Sequence, residues 1–289
     1  LTACLAACGG SEKPAQTAVA KPIIPVILPP ASAASAPAVA STPAAPVTAS
    51  APTTMAASEP VAASAPESAS MPAASGPEST PVINIDVYGD DSAMGLAGYN
   101  FGMPIFAKPA AANLQDALQK QFDDTGIKVA NHASGGTSAN LMDLLDGMDG
   151  SGAPFAQRLA ATQSTIVMIS YGLNEQYGGE TVSDFSGYLA QAIQTVRDAG
   201  RRPILETPSP TCDSDHPFTA SYAAAIKVAG ATYDAPVVDN YAAISDLSGW
   251  RDHMDQTCTL PDEALQAFEA TQELTVIAPL VKTIIGDQS

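Results

Sequence analysis

A run of β-branched and apolar residues, Val82-Ile83-Asn84-Ile85-Asp86-Val87-Tyr88, stops abruptly in Gly89-Asp90-Asp91-Ser92-Ala93-Met94-Gly95. Two carboxyls and a hydroxyl therefore sit in a glycine-bounded turn at the end of a strand. In folds of alternating strands and helices, ligands and chemistry collect at such ends. Ser134-Gly135-Gly136-Thr137-Ser138 and Gly172-Leu173-Asn174-Glu175 also follow apolar runs, and the loop 250–261 carries His253, Asp255 and Cys258. A serine hydroxyl is a poor nucleophile until a neighbouring base takes its proton, and a developing oxyanion needs preorganised donors. No pair of residues has convincing metal spacing, so neither a metal nor another cofactor is expected.

The elements that must position these groups alternate in type. The sequence predicts a strand over 82–87, a helix over 114–122 and a strand over 126–130. Ser138 is placed to cap a helix through Leu141, Leu144 and Leu145. A helix over 153–161 then precedes the most apolar strand of the chain, 165–170. An amphipathic helix over 181–199 closes at Gly200, a strand follows over 203–205, and a helix over 218–229 closes at Gly230. A short strand over 236–239 and a final helix over 262–276 complete the order. Near-continuous apolar strands alternating with helices predict a parallel sheet covered on both faces. Right-handed crossovers bring the turns after the first four strands, and the last loop, to one rim.

The folding part occupies only 82–289. Residues 11–81 are mostly Ala, Pro, Ser, Thr and Val, with too little apolar surface to offset the entropy of ordering, and are expected to form a disordered, semi-extended linker. Residues 1–10 are expected to be the remnant of an export signal. Within them Leu5-Ala6-Ala7-Cys8 resembles the lipobox of bacterial lipoproteins, which makes Cys8 the expected lipidation site and a membrane the expected partner, with Cys4 a weaker second match. The implied location is a bacterial cell envelope, lipid-anchored and facing the periplasm or the exterior. The formal charge of −18, from 30 acidic and 12 basic residues, argues against nucleic acid as a partner and describes an acidic surface.

Four blocks in order resemble the SGNH, or GDSL-like, hydrolase family: 89–95, 134–138, 172–175 and 255–258. The resemblance implies a flavodoxin-like, doubly wound parallel α/β sheet over 82–289, preceded by the tether. It also implies ester hydrolysis by a serine, with a base from the last block oriented by Asp255, on an ester-bearing small molecule or glycan. Gly135 or Gly136, together with Asn174, would supply the oxyanion donors. A glycine lets a backbone amide approach closely, and a side-chain amide donates without adding charge.

Two positions depart from the family pattern. An ungapped alignment of 89–95 puts Asp91 where the nucleophile belongs and Ser92 one position late; a one-residue bulge is the alternative that presents Ser92. Cys258 stands where the histidine belongs, and a thiol with a pKa near ~8.5 is a poor substitute for imidazole near neutrality. His253 is the remaining base candidate if the loop is rebuilt, and otherwise an exposed loop residue. Asp213-Ser214-Asp215-His216-Pro217 repeats the spelling of the last block but lies too early, so His216 and His132 are read as local hydrogen-bonding residues. Export would favour a disulfide between Cys212 and Cys258, with a free thiol beside Asp255 as the alternative. Two functions follow: a de-acylating esterase using Ser92, or a catalytically inactive ligand-binding or scaffold protein on the same fold.

Overall fold

A computed structural model describes residues 83–287; Cys8 and the linker over 11–81 lie outside the described residues. In chain order the elements are β1 (Asn84–Gly89), α1 (Asp91–Met94), β2 (Leu96–Asn100), β3 (Met103–Phe106), α2 (Ala110–Phe122), β4 (Lys128–Asn131), α3 (Leu141–Asp146), α4 (Phe155–Ala161) and β5 (Ile166–Ser170). There follow α5 (Leu173–Gly178), α6 (Val182–Asp198), β6 (Arg202–Glu206), α7 (Thr219–Thr232), β7 (Val237–Val238), α8 (Asn240–Ser245), a 3₁₀ turn (Trp250–His253) and α9 (Glu263–Gly286).

The main sheet has the order β4-β1-β5-β6-β7, and every pairing in it is parallel. Counting only its own strands in chain order, this is the 2-1-3-4-5 flavodoxin-like order, which reverses direction beside β1. Strand residues alternate between two cores. Tyr88, Val167, Ile169 and Leu205 pack with Leu141, Phe155, Phe185, Ile193 and Tyr222 from α3, α4, α6 and α7. Ile85, Val87, Met168 and Ile204 pack with Leu114 and Leu118 of α2 and with Ile277 and Val281 of α9. Both strand faces are apolar because both are covered; each fully buried side chain contributes roughly 1.5–3 kcal/mol.

Three local expectations are corrected. Asn140, not Ser138, caps α3, its side chain accepting the Asp143 N–H. Gly230 lies inside α7 rather than after it; a Cβ there would meet Val237 Cγ2 at 2.3 Å, so this glycine serves helix-to-strand packing instead of termination. The last helix runs on through Pro279 to Gly286, because burying Ile277, Val281 and Ile284 outweighs the backbone hydrogen bond that proline removes. The antiparallel β2–β3 hairpin stands apart from the main sheet.

At the rim, Gly89 pairs in register with Ser170, and Ser170 with Glu206. Gly89 has no room for a side chain: a Cβ would lie 2.4 Å from Ala93 Cβ and 2.7 Å from the Ser170 carbonyl. The chain therefore turns tightly against its neighbouring strand, and Gly95, with φ of 90°, ends the single helical turn in the left-handed region.

Candidate functional site

The site is built from that turn outward. Asp90 is the N-cap of α1, and its buried carboxylate accepts the N–H of Ser92 at 3.1 Å and that of Leu173 at 3.1 Å. It ties the end of β1 to the loop after β5. Burial, and then the charge of Asp91, push the Asp90 carboxyl up to about 7 in spite of these donors.

Asp91 is the residue that enters the cleft. The Gly136 N–H donates to both of its oxygens, at 3.0 and 3.2 Å, and the Asn174 side-chain amide donates to Oδ2 at 2.7 Å. The same amide nitrogen lies 3.1 Å from the carbonyls of Gly136 and Ala139. Gly135 permits this approach, since a Cβ there would stand 2.4 Å from Met94 Cε and 2.8 Å from Asp91 Oδ1. The second and third blocks therefore converge on one point, and a carboxylate occupies it. Glu175 holds the third block in place by accepting the N–H groups of Gly172 and Leu141, each at 2.8 Å, while burial and the nearby Asp90 raise its carboxyl to about 8.

Ser92 faces the opposite way. It borders a small cavity of about 20 Å³ with Asp90, Ser170, Glu206, Ser209, Glu269 and Glu273. Its carbonyl is held by the Gln266 amide at 2.9 Å, and Gln266 in turn accepts the Ala110 N–H at 2.7 Å. No bulge brings Ser92 beside Gly136 and Asn174. The chamber is a nest of buried acids: Asn240 donates to Glu206 at 2.6 Å, the Ser209 hydroxyl to Glu269, and Glu206 and Glu273 bond to one another. Burial, reinforced by Glu206, raises Glu269 to about 8, and burial with the charges of Glu206 and Glu269 raises Glu273 well above its ordinary value.

The last block supplies no base to the cleft. Asp255 folds its own loop, accepting the N–H groups of Thr259 at 2.7 Å and Leu260 at 3.0 Å and the Thr257 hydroxyl at 2.6 Å. Burial opposes ionisation of Asp255, but these donors hold it below the usual carboxylate range. Cys258 is joined to Cys212 in a disulfide and packs beside Trp250, Ile244 and Leu265. His253 sits beyond it, 3.0 Å from Asp262 at the start of α9. His132 lies 3.3 Å from Asp86 and stacks on Tyr88, and His216 lies 2.8 Å from Asp213 and against the Tyr177 ring. Each of the three histidines is thus turned to an aspartate other than Asp91 and Asp255.

Above Asp91 opens a cleft of about 290 Å³, walled by Leu96, Tyr99, Leu173, Tyr177 and Leu260, with Gly136, Thr137, Asn174 and Thr259 as polar edges. Sequence reasoning missed its walls. Tyr177 had a readable signal, lying one helical turn after Asn174 on the same face of α5. Tyr99 and Leu96 had none, because they belong to the hairpin. Among the described residues there is no group of three or more His, Cys, Asp or Glu that could hold a metal ion.

A doubly wound parallel sheet with donors gathered at its switch point, and three glycine-bearing loops on one rim, defines a hydrolase-type α/β domain. The chain belongs to the GDSL-like lipase/acylhydrolase family, whose model matches residues 88–260. Among solved structures it is similar to TesA, at 18% identity with a TM-score of 0.53 over 68% of this chain and 99% of that one. It is similar also to a lipase/acylhydrolase from Enterococcus faecalis, at 16% identity and TM-score 0.54 over 68% of this chain and 95% of the other. A catalytic mutant of Axe2, an acetylxylan esterase from Geobacillus stearothermophilus, aligns at 16% identity and TM-score 0.53 over 68% and 94%. At these identities the likeness is one of fold. The curated proteins contain no match to this chain.

Proposed function

We propose that this chain is a ligand-binding member of the family in which serine-based ester hydrolysis has been lost. The observation that carries the reading is the Asp91 carboxylate, which receives the Gly136 and Asn174 donors. In an acyl hydrolase those donors must be free to stabilise a tetrahedral oxyanion, where removing one costs roughly 3–4 kcal/mol of barrier. Here they hydrogen-bond to a resident anion. The disulfide at Cys258 and the turn-forming role of Asp255 favour the same reading over an esterase that uses Ser92, because no histidine is paired with either Asp91 or Ser92. The ligand is a small molecule held in the cleft above Asp91.

The lipobox-like Leu5-Ala6-Ala7-Cys8 supports placement at a bacterial envelope membrane through a lipid on Cys8. Among the described residues no helix is long and apolar enough to cross a membrane.

Purified protein incubated with short-chain p-nitrophenyl esters and a fluorophosphonate probe tests the central claim. The expected result is turnover at the buffer rate and no covalent labelling between pH 5 and 9. Turnover or labelling that disappears in Ser92→Ala would restore the esterase reading.

A further inference from the structure

The donors at the cleft floor are already committed. Gly136 offers one N–H, and both of its short contacts go to Asp91; the Asn174 amide has two hydrogens and three acceptors around it, Asp91 and the carbonyls of Gly136 and Ala139. A ligand carbonyl or carboxylate arriving at the floor finds the Gly136 and Asn174 hydrogens taken and meets a negative charge. A carboxylate, by contrast, has about four acceptor sites, and Asp91 retains capacity toward the cleft. No Lys, Arg or His lines the cleft, and among the described residues Asp91 forms no ion pair. The polarity of the site is therefore inverted relative to an acyl hydrolase: it accepts where the hydrolase donates.

The walls complete the argument. Tyr99 and Tyr177 line the same cleft together with Leu96, Leu173 and Leu260. Aromatic faces attract an ammonium through the ring quadrupole, and a carboxylate beside them adds charge-assisted hydrogen bonds. The Tyr177 hydroxyl donates to Asp213 at 2.9 Å, and Asp213 is also paired with His216, which packs on the same ring; together they fix the ring. We infer that the cleft binds a protonated amine carried on an apolar body, with the ammonium on Asp91 and the body against the two tyrosines and the leucines. This rests on the ligand-binding reading and sharpens it, by naming the charge and shape of what is bound.

The test compares ligands of equal length and different charge. Full-length protein is titrated with hexylammonium, hexanol and hexanoate at pH 7 and low salt, by calorimetry or ligand-observed NMR, alongside a p-nitrophenyl hexanoate assay. Hexylammonium should bind at least about tenfold more tightly than either of the others, a difference of about 1.4 kcal/mol. Asp91→Asn should erase that preference, and Thr137→Lys, which keeps Asp91 and its donors, should reverse it in favour of hexanoate. Equal affinity for the three compounds, or an ammonium preference unchanged in both variants, overturns the inference. Hydrolysis of the hexanoate ester instead overturns the loss of catalysis, and leaves the charge preference to be judged by its own titration.

Discussion

Two adjacent residues, Asp91 and Ser92, look into two unlike cavities. Asp91 opens onto an apolar cleft where it accepts the Gly136 and Asn174 donors, and Ser92 borders a small cavity lined by buried acids. The difference teaches how a nucleophile is lost without loss of fold. A turn of one helical step can present only one of two neighbours to the cleft, and here the carboxylate takes the place nearest the donors. It pairs donors that would otherwise be left to water or a ligand. The donors therefore remain paired after the hydroxyl has left them, and the hydroxyl borders a cavity that holds carboxyls but none of the oxyanion donors.

The strongest way to break the contrast is to give the cleft back its chemistry. The combined variant Asp91→Ser, Cys258→His and Cys212→Ala places a hydroxyl beside Gly136 and Asn174 and an imidazole three residues after Asp255. Hydrolysis of p-nitrophenyl acetate should rise at least on the order of 10²-fold over the unaltered protein, the lower range of general-base catalysis. Asp91→Ser alone should remain at the buffer rate. A rate gain in the single variant would show that a base already faces the cleft.

The bridge between Cys212 and Cys258 closes a span of 46 residues. It binds the loop after β6 to the loop before α9, across the rim that carries the cleft. Replacing both cysteines by alanine should lower stability by about 4 kcal/mol in the chain-entropy account. Urea unfolding with and without a reductant checks this. The oxidised protein should lose its advantage in reductant, and the double-alanine variant should be indifferent to it.

The sheet was legible because its strands are apolar on both faces and its helices carry their own end signals. The apolar runs that form Asn84–Gly89 and Ile166–Ser170 stand out in the sequence, and Thr181 caps α6 through the Asp184 N–H. The hairpin Leu96–Phe106 was not legible: its outer residues Tyr99, Phe101, Met103 and Phe106 are exposed, so its pattern reports neither a buried strand face nor a helical stripe. The site divides in the same way. Gly135, Gly136 and Asn174 stand in spaced blocks at strand ends, whereas Glu206, Glu269 and Glu273 come from distant parts of the chain and meet only in the fold. Spacing left the choice between Asp91 and Ser92 open, because one residue of register in a tight turn changes the facing side chain and leaves the composition unchanged.

The chamber sharpens the comparison through pH. Asp90, Glu269 and Glu175 have folded values of about 7, 8 and 8, above the ordinary range near 4 of an unfolded carboxyl. Between those limits the folded protein holds protons that the unfolded chain has released, so stability must fall as pH rises. The advantage is complete below about pH 4 and is lost through about pH 8, at roughly 1.4 kcal/mol per pH unit for each such group. Asp86 runs the other way: burial opposes its ionisation, yet His132 and the Ser164 hydroxyl hold it below the usual value, so its contribution appears on leaving acid. Melting temperature should therefore decline from pH 5 to pH 8. Glu269→Gln, which keeps an acceptor for Ser209, should flatten that decline; an unchanged slope would remove Glu269 from the account.

The smallest effect belongs to the residue that the family pattern makes most conspicuous. Ser92 holds its place through its backbone: its N–H is bound by Asp90 and its carbonyl by Gln266, and alanine keeps both. Ser92→Ala should leave cleft binding within twofold and stability within about 0.5 kcal/mol, as for a substitution that removes neither a cap nor packing. Asp91→Ala, one residue away, removes the acceptor of the Gly136 N–H and of the Asn174 amide and should cost about 1 kcal/mol, as for a net hydrogen bond, together with the ligand preference. Parallel urea curves and titrations on the two variants measure the contrast directly. A Ser92→Ala loss as large as that of Asp91→Ala would mean that the chamber and the cleft act as one site, whereas separate behaviour assigns recognition to the carboxylate.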